Sequence, residues 1–79
     1  MIRPIPATRL KLLRIAFGIS QQHVAETLHI TEAQVSNFEH NRRRPSTEQC
    51  FQIAKIFGID PGEIWPERFG RAEAKNEKD

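Results

Sequence analysis

Two stretches with helical periodicity, Gln21 to about Leu28 and Glu32 to about Glu39, are separated by only two or three residues. A linker this short cannot lay two helices antiparallel along their length, so the pair must cross sharply. Ser20 and Thr31 stand at the two starts as side-chain caps for the amides freed there. Val24, Ala25 and Leu28 give the first helix one apolar face, and Val35 with Phe38 forms the buried pair of the second. The other face of the second helix holds Glu32, Ala33, Ser36 and Asn37, all short or polar. Any fold must therefore cover two short apolar faces while leaving one face of the second helix without core duty.

The flanking sequence supplies the cover. From Thr8 to Phe17, Leu10, Leu13, Ile15, Ala16 and Phe17 recur at helical spacings, with Thr8 as cap and Gly18 as stop. His40 to Pro45 is a loop, because Asn41 tolerates a left-handed backbone and Pro45 cannot continue a helix. Ser46 caps a helix from Thr47 to Phe57 whose inner face is Cys50, Ile53, Ala54 and Phe57; Gln49 completes a capping box and Gly58 ends it. Asp60-Pro61 starts a short helix through Trp65, which Pro66 ends. No alternation of period two is long enough for a strand. The sequence predicts a compact all-α domain of five helices over residues 8–66. An extended arm, residues 1–7, precedes it, biased by Pro4 and Pro6. A polar, flexible tail follows at 67–79.

Composition removes whole classes of function. A chain of 79 residues is one small domain with a modest core, too short for a doubly wound sheet or an eight-stranded barrel. No apolar run approaches a membrane span, and Met1 to Pro6 lacks a signal peptide's apolar stretch. The single Cys, Cys50, cannot form an internal disulfide and reads as a small core residue, which fits a reducing, cytoplasmic compartment. His23, His29 and His40 make no His-x-x-x-His, and Cys-x-x-Cys is absent, so neither a metal site nor a cofactor is expected. The serines occupy cap or outer-face positions rather than nucleophile contexts, so no enzyme is expected.

A short helix, a tight turn and a second short helix with a free outer face make a helix-turn-helix. Such a helix fits the major groove of B-DNA if its outer face is bare, and its partner can offer N-terminal amides to a phosphate. Charge agrees with this placement. Residues 1–47 hold seven bases (Arg3, Arg9, Lys11, Arg14, Arg42, Arg43, Arg44) and three acids (Glu26, Glu32, Glu39), a net +4. Residues 48–79 hold five bases and seven acids, a net −2. The first half is the candidate surface for a polyanion.

Seven pieces, taken in order and spacing, resemble the phage-repressor-like (Cro- or XRE-type) helix-turn-helix regulators. They are Leu10-x-x-Leu13-Arg14, Gly18-Ile19-Ser20-Gln21, Val24-Ala25-x-x-Leu28, Ile30-Thr31, Val35-Ser36-x-Phe38-Glu39, Arg43-x-Pro45-Ser46 and Ile53-Ala54-x-x-Phe57-Gly58-Ile59. The resemblance implies double-stranded DNA as partner, a bacterial or phage cytoplasmic setting, and a homodimer reading a palindromic operator, usually as a repressor. It implies base contacts from Glu32, Ala33 and Asn37, bordered by Gln34 and Ser36. Chemically, Asn37 could pair with adenine, Ala33 could touch a thymine methyl, and Glu32 could accept from cytosine N4. Glu32 could equally serve only the helix dipole. Phosphate contacts fall to Gln21, Gln22, Asn41, Arg42, Arg43 and Arg44, and Arg14 with Glu39 would be an internal ion pair. Ile56, Ile64, Trp65 and Phe69 would form the dimer interface.

The chain departs from the family pattern at particular residues. His29 and Asn41 stand where Gly is common. Leu12, Ile15 and Phe17, with Phe51 and Ile56, are apolar where charge is common. Either the arm residues Ile2 and Ile5 cover helix 1, or this surplus is a partner surface. The competing function is thus a protein-interaction module, antitoxin-like or a phage accessory protein.

Overall fold

The computed structural model describes residues 8–69. Over this span it contains α1 (Arg9–Ala16), α2 (Gln21–Leu28), α3 (Glu32–Glu39), α4 (Thr47–Phe57), α5 (Pro61–Ile64) and α6 (Pro66–Phe69), with no strand among the described residues. The first five start on side-chain caps. Thr8, Ser20, Thr31, Ser46 and Asp60 accept from the backbone N–H of Lys11, His23, Gln34, Gln49 and Gly62, at 2.9–3.2 Å. At α3 and α4 the cap is reciprocal, since Gln34 and Gln49 return their side-chain oxygens to the Thr31 and Ser46 N–H.

Four helices end in one geometry. Gly18, His29, Asn41 and Gly58 are left-handed, with φ of 70°, 60°, 59° and 71°. The residue after each, Ile19, Ile30, Arg42 and Ile59, donates its N–H to the carbonyl five residues back, at 2.9–3.1 Å. This closing bond satisfies a carbonyl the helix end would orphan. Ile19, Ile30 and Ile59 also press half-buried onto the core. His29 thus adopts the backbone for which Gly is usual, at a steric cost of about 1–2 kcal/mol.

α2 packs on α3 and α4, and α1 bridges α3 and α5. The core is Leu10, Val24, Ala25, Leu28, Val35, Phe38, Cys50, Ile53, Ala54, Phe57, Ile64 and Trp65. Two expectations change here. Ile64 and Trp65, assigned to a dimer interface, are 3% and 9% exposed and belong to the core. They sit on a helix of one turn, where apolar period cannot tell an inner from an outer face. The folded part also runs past Pro66: α5 ends before it, as the sequence suggests, but Pro66 then opens α6, where its missing N–H is no loss. Arg68 of α6 donates to the Pro45 carbonyl at 2.6 Å and reaches the Cys50 Sγ at 3.1 Å. The arm, residues 1–7, and residues 70–79 lie outside the described residues. No helix among the described residues is long and apolar enough to cross a membrane.

Candidate nucleic-acid interface

α3 shows why one helix can be both anchored and available. Val35, Phe38 and Glu39 are buried, whereas Glu32, Ala33 and Gln34 are exposed and Ser36 and Asn37 half-exposed. The buried side includes one charged group. The Glu39 carboxylate is fully enclosed, and a charge there is tolerable only if its oxygens are occupied. Arg14 Nε donates to Oε2 at 2.5 Å, Arg14 Nη2 to Oε1 at 3.4 Å and Gln21 Nε2 to Oε1 at 3.0 Å. Arg14 also donates from Nη1 to the Ile19 carbonyl at 2.9 Å. The carboxylate therefore ties the end of α3 to α1 and to the start of α2, and Arg14 extends the tie to the α1–α2 turn, fixing how α3 is presented.

Gln21 is consequently a structural partner of Glu39, with one of its two amide N–H groups outside that bond. Gln22 donates to Glu26 at 3.0 Å on the exposed side of α2. Arg42, Arg43 and Arg44 are all exposed on the loop after α3. Pro45, at the end of that loop, is held by Arg68. This brace joins residues 23 apart and leaves no local sequence signal.

Side-chain bonds along α3 set the polarity of its outer face. Gln34 Oε1 accepts from the Thr31 N–H at 2.9 Å. Asn37 Oδ1 accepts from Arg42 Nη1 at 3.2 Å. His40 Nδ1 lies 2.8 Å from the Ser36 carbonyl oxygen and 3.3 Å from its hydroxyl. Beside the helix, Gln34, Asn37, Phe38, Arg43, Arg44 and Gln49 line a cleft of about 250 Å³. Gln49, a capping residue by its sequence position, also lines this cleft.

Among the described residues, no group of three or more His, Cys, Asp or Glu side chains could hold a metal ion. Cys50 is a buried free thiol. Burial pushes it up from the ordinary thiol range, with Arg68 and Arg44 pulling partly back and Glu67 adding to the rise.

A family model described as helix-turn-helix matches residues 10–64. Among solved structures, the restriction-modification controller protein C.AhdI from Aeromonas hydrophila is similar, at 30% identity and a TM-score of 0.65. The match covers 71% of this chain and 85% of that one. No curated protein matches in a sequence search. A core built as the helix-turn-helix requires, an outer face of α3 left bare, and a family match across most of the folded residues lead to one conclusion: the chain belongs to the Cro/C1-type (XRE) helix-turn-helix family of DNA-binding transcription regulators.

Proposed function

We propose that this protein is a cytoplasmic, dimeric repressor that inserts α3 into the major groove of a palindromic operator. The observation that carries this reading is the division of α3 into an inner face locked by Val35, Phe38 and Glu39 and an outer face free of core contacts. In the proposal Glu32, Ala33, Gln34, Ser36 and Asn37 face base edges. Gln21, Gln22, Asn41, Arg43 and Arg44 lie along phosphates, with Arg42 beside them. The likeness to a restriction-modification controller protein supports transcriptional control as the output. Dimerisation has an energetic logic: one eight-residue helix reads few base pairs, and two half-sites a helical turn apart multiply specificity. With Ile64 and Trp65 in the core, the interface falls to Ile56 and Phe69, beside Phe51.

Selection of bound sequences from a random duplex pool, followed by gel shifts at near-physiological salt, tests the proposal. A symmetric site bound far above random DNA is the expected result. If every duplex binds alike, sequence-specific regulation is excluded.

A second reading has its own observation. Leu12, Ile15, Phe17 and Phe51 are 48–58% exposed, a large apolar surface for a domain this small. It supports a protein partner in addition to DNA, on faces other than that of α3.

A further inference from the structure

The four left-handed helix ends differ in one respect. After Gly18, His29 and Gly58 the chain places isoleucine; after Asn41 it places Arg42. A residue in this position lies over the helical residue whose carbonyl its N–H reaches, and an apolar contact between the two is usual. In α3 those two residues are Arg42 and Asn37. The Arg42 N–H donates to the Asn37 carbonyl at 2.9 Å, and the guanidinium donates to the Asn37 side-chain oxygen at 3.2 Å. Asn37 is thus held at two points by one residue, through a turn that depends on Asn41.

The orientation of the carboxamide follows from chemistry, because an arginine can only donate. Its oxygen must face Arg42, so its NH₂ group faces the other way. The same holds for Gln34, whose oxygen accepts from the Thr31 N–H, and for Gln49, whose oxygen accepts from the Ser46 N–H. All three line the cleft beside α3, together with Arg43 and Arg44. What these side chains turn outward is their N–H donors, with part of each oxygen's acceptor capacity already used.

We infer that Arg42 is a positioning residue that turns the oxygen of Asn37 toward itself and its NH₂ group outward, and so sets the preference of Asn37 for guanine over adenine. This inference rests on the proposed DNA-binding reading and narrows it. Pairing an asparagine with adenine needs the amide oxygen to accept from N6 while the NH₂ donates to N7. The oxygen is turned toward Arg42 with one of its two lone pairs occupied, so presenting oxygen and NH₂ together to adenine requires the carboxamide to turn away from Arg42 at the expense of that bond. Guanine presents two acceptors, O6 and N7, to the two N–H groups of Asn37. Thymine presents one, O4. Glu32, an acceptor only, is left to cytosine or adenine amino groups.

The test uses the full chain and random-pool selection for the wild type, Asn37→Ala, Arg42→Met and Arg43→Met. The base pair read by residue 37 is the one whose preference Asn37→Ala erases. The wild type selects guanine, or less strongly thymine, at that pair. Arg42→Met frees the oxygen and raises adenine relative to guanine there by about tenfold, within the range of a bidentate base contact. Arg43→Met weakens all sequences without altering that ratio. In the DNA-free chain, Arg42→Met shifts the side-chain amide NMR signals of Asn37 and Arg43→Met does not. Adenine selected by the wild type overturns the inference, as does an unchanged base ratio or an unmoved Asn37 amide in Arg42→Met. A pool with nothing enriched removes the DNA reading itself, and this inference with it, a result distinct from an enriched pool bearing adenine.

Discussion

At single residues, the buried carboxylate of Glu39 sets the largest energies. Its side chain is fully enclosed and Arg14 is its ion-pair partner. Replacing Arg14 by Met keeps much of the side-chain volume and leaves the carboxylate with Gln21 alone. We expect a loss of about 3–5 kcal/mol, a large part of what a small domain has in total, visible as a lower urea midpoint at neutral pH. Cys50 gives a pH dependence of known sign. Burial raises its thiol in the folded state, so the native protein keeps a proton that the unfolded chain releases at alkaline pH. The associated stability is full below the ordinary thiol range and is lost as pH rises through it. Urea midpoints measured from neutral to alkaline pH should fall less steeply in Cys50→Ala. Outer-face residues behave differently. Asn37→Ala should relax specificity at one base pair at a cost of about 1–3 kcal/mol. Arg43→Ala should weaken all duplexes alike and lower the salt slope by about 0.9.

Among elements, the helix starts were readable because capping is local chemistry. A hydroxyl or carboxylate followed by an apolar period identifies itself within four residues, and Thr8, Ser20, Thr31, Ser46 and Asp60 all cap as the sequence suggests. The ends were partly readable: Gly18 and Gly58 are explicit and Asn41 tolerates the geometry, whereas His29, though it stands where Gly is common, does not favour a left-handed backbone and takes it because Ile30 must reach the core. That strain is removable. His29→Gly should leave the α2–α3 crossing unchanged and stabilise the domain by up to about 1 kcal/mol, the relieved strain exceeding the added freedom of the unfolded chain; thermal denaturation measures it. Less could be read at α5 and α6. Four residues are too few for a period that could be set against the dimer-interface role the resemblance implied for Ile64 and Trp65. Pro66 looked like a stop, because the same residue ends one helix and opens another. The Gln21–Glu39 bond and the brace from Arg68 to Pro45 join residues 18 and 23 apart, beyond what local pattern encodes.

For the molecule as a whole, three surfaces separate. The α3 face and the arginine loop carry donors and positive charge. The outer side of α1 carries Leu12 and Ile15, and α4 with α6 carries Phe51 and Phe69, whose rings meet edge to face at 5.5 Å. If the third surface is where two copies meet, Phe51→Glu should produce a monomer by sedimentation while retaining the helical content of the wild type, and should weaken operator binding without changing which bases are preferred. The account as a whole stands on α3 being the surface that enters DNA. Titrating the labelled protein with its selected duplex and following backbone amide signals tests this in one experiment. The largest changes should fall on Glu32 to Asn37 and on Arg42 to Arg44, with the outer side of α1 unmoved. Changes confined to Leu12, Ile15 or Phe51, with α3 silent, would contradict it.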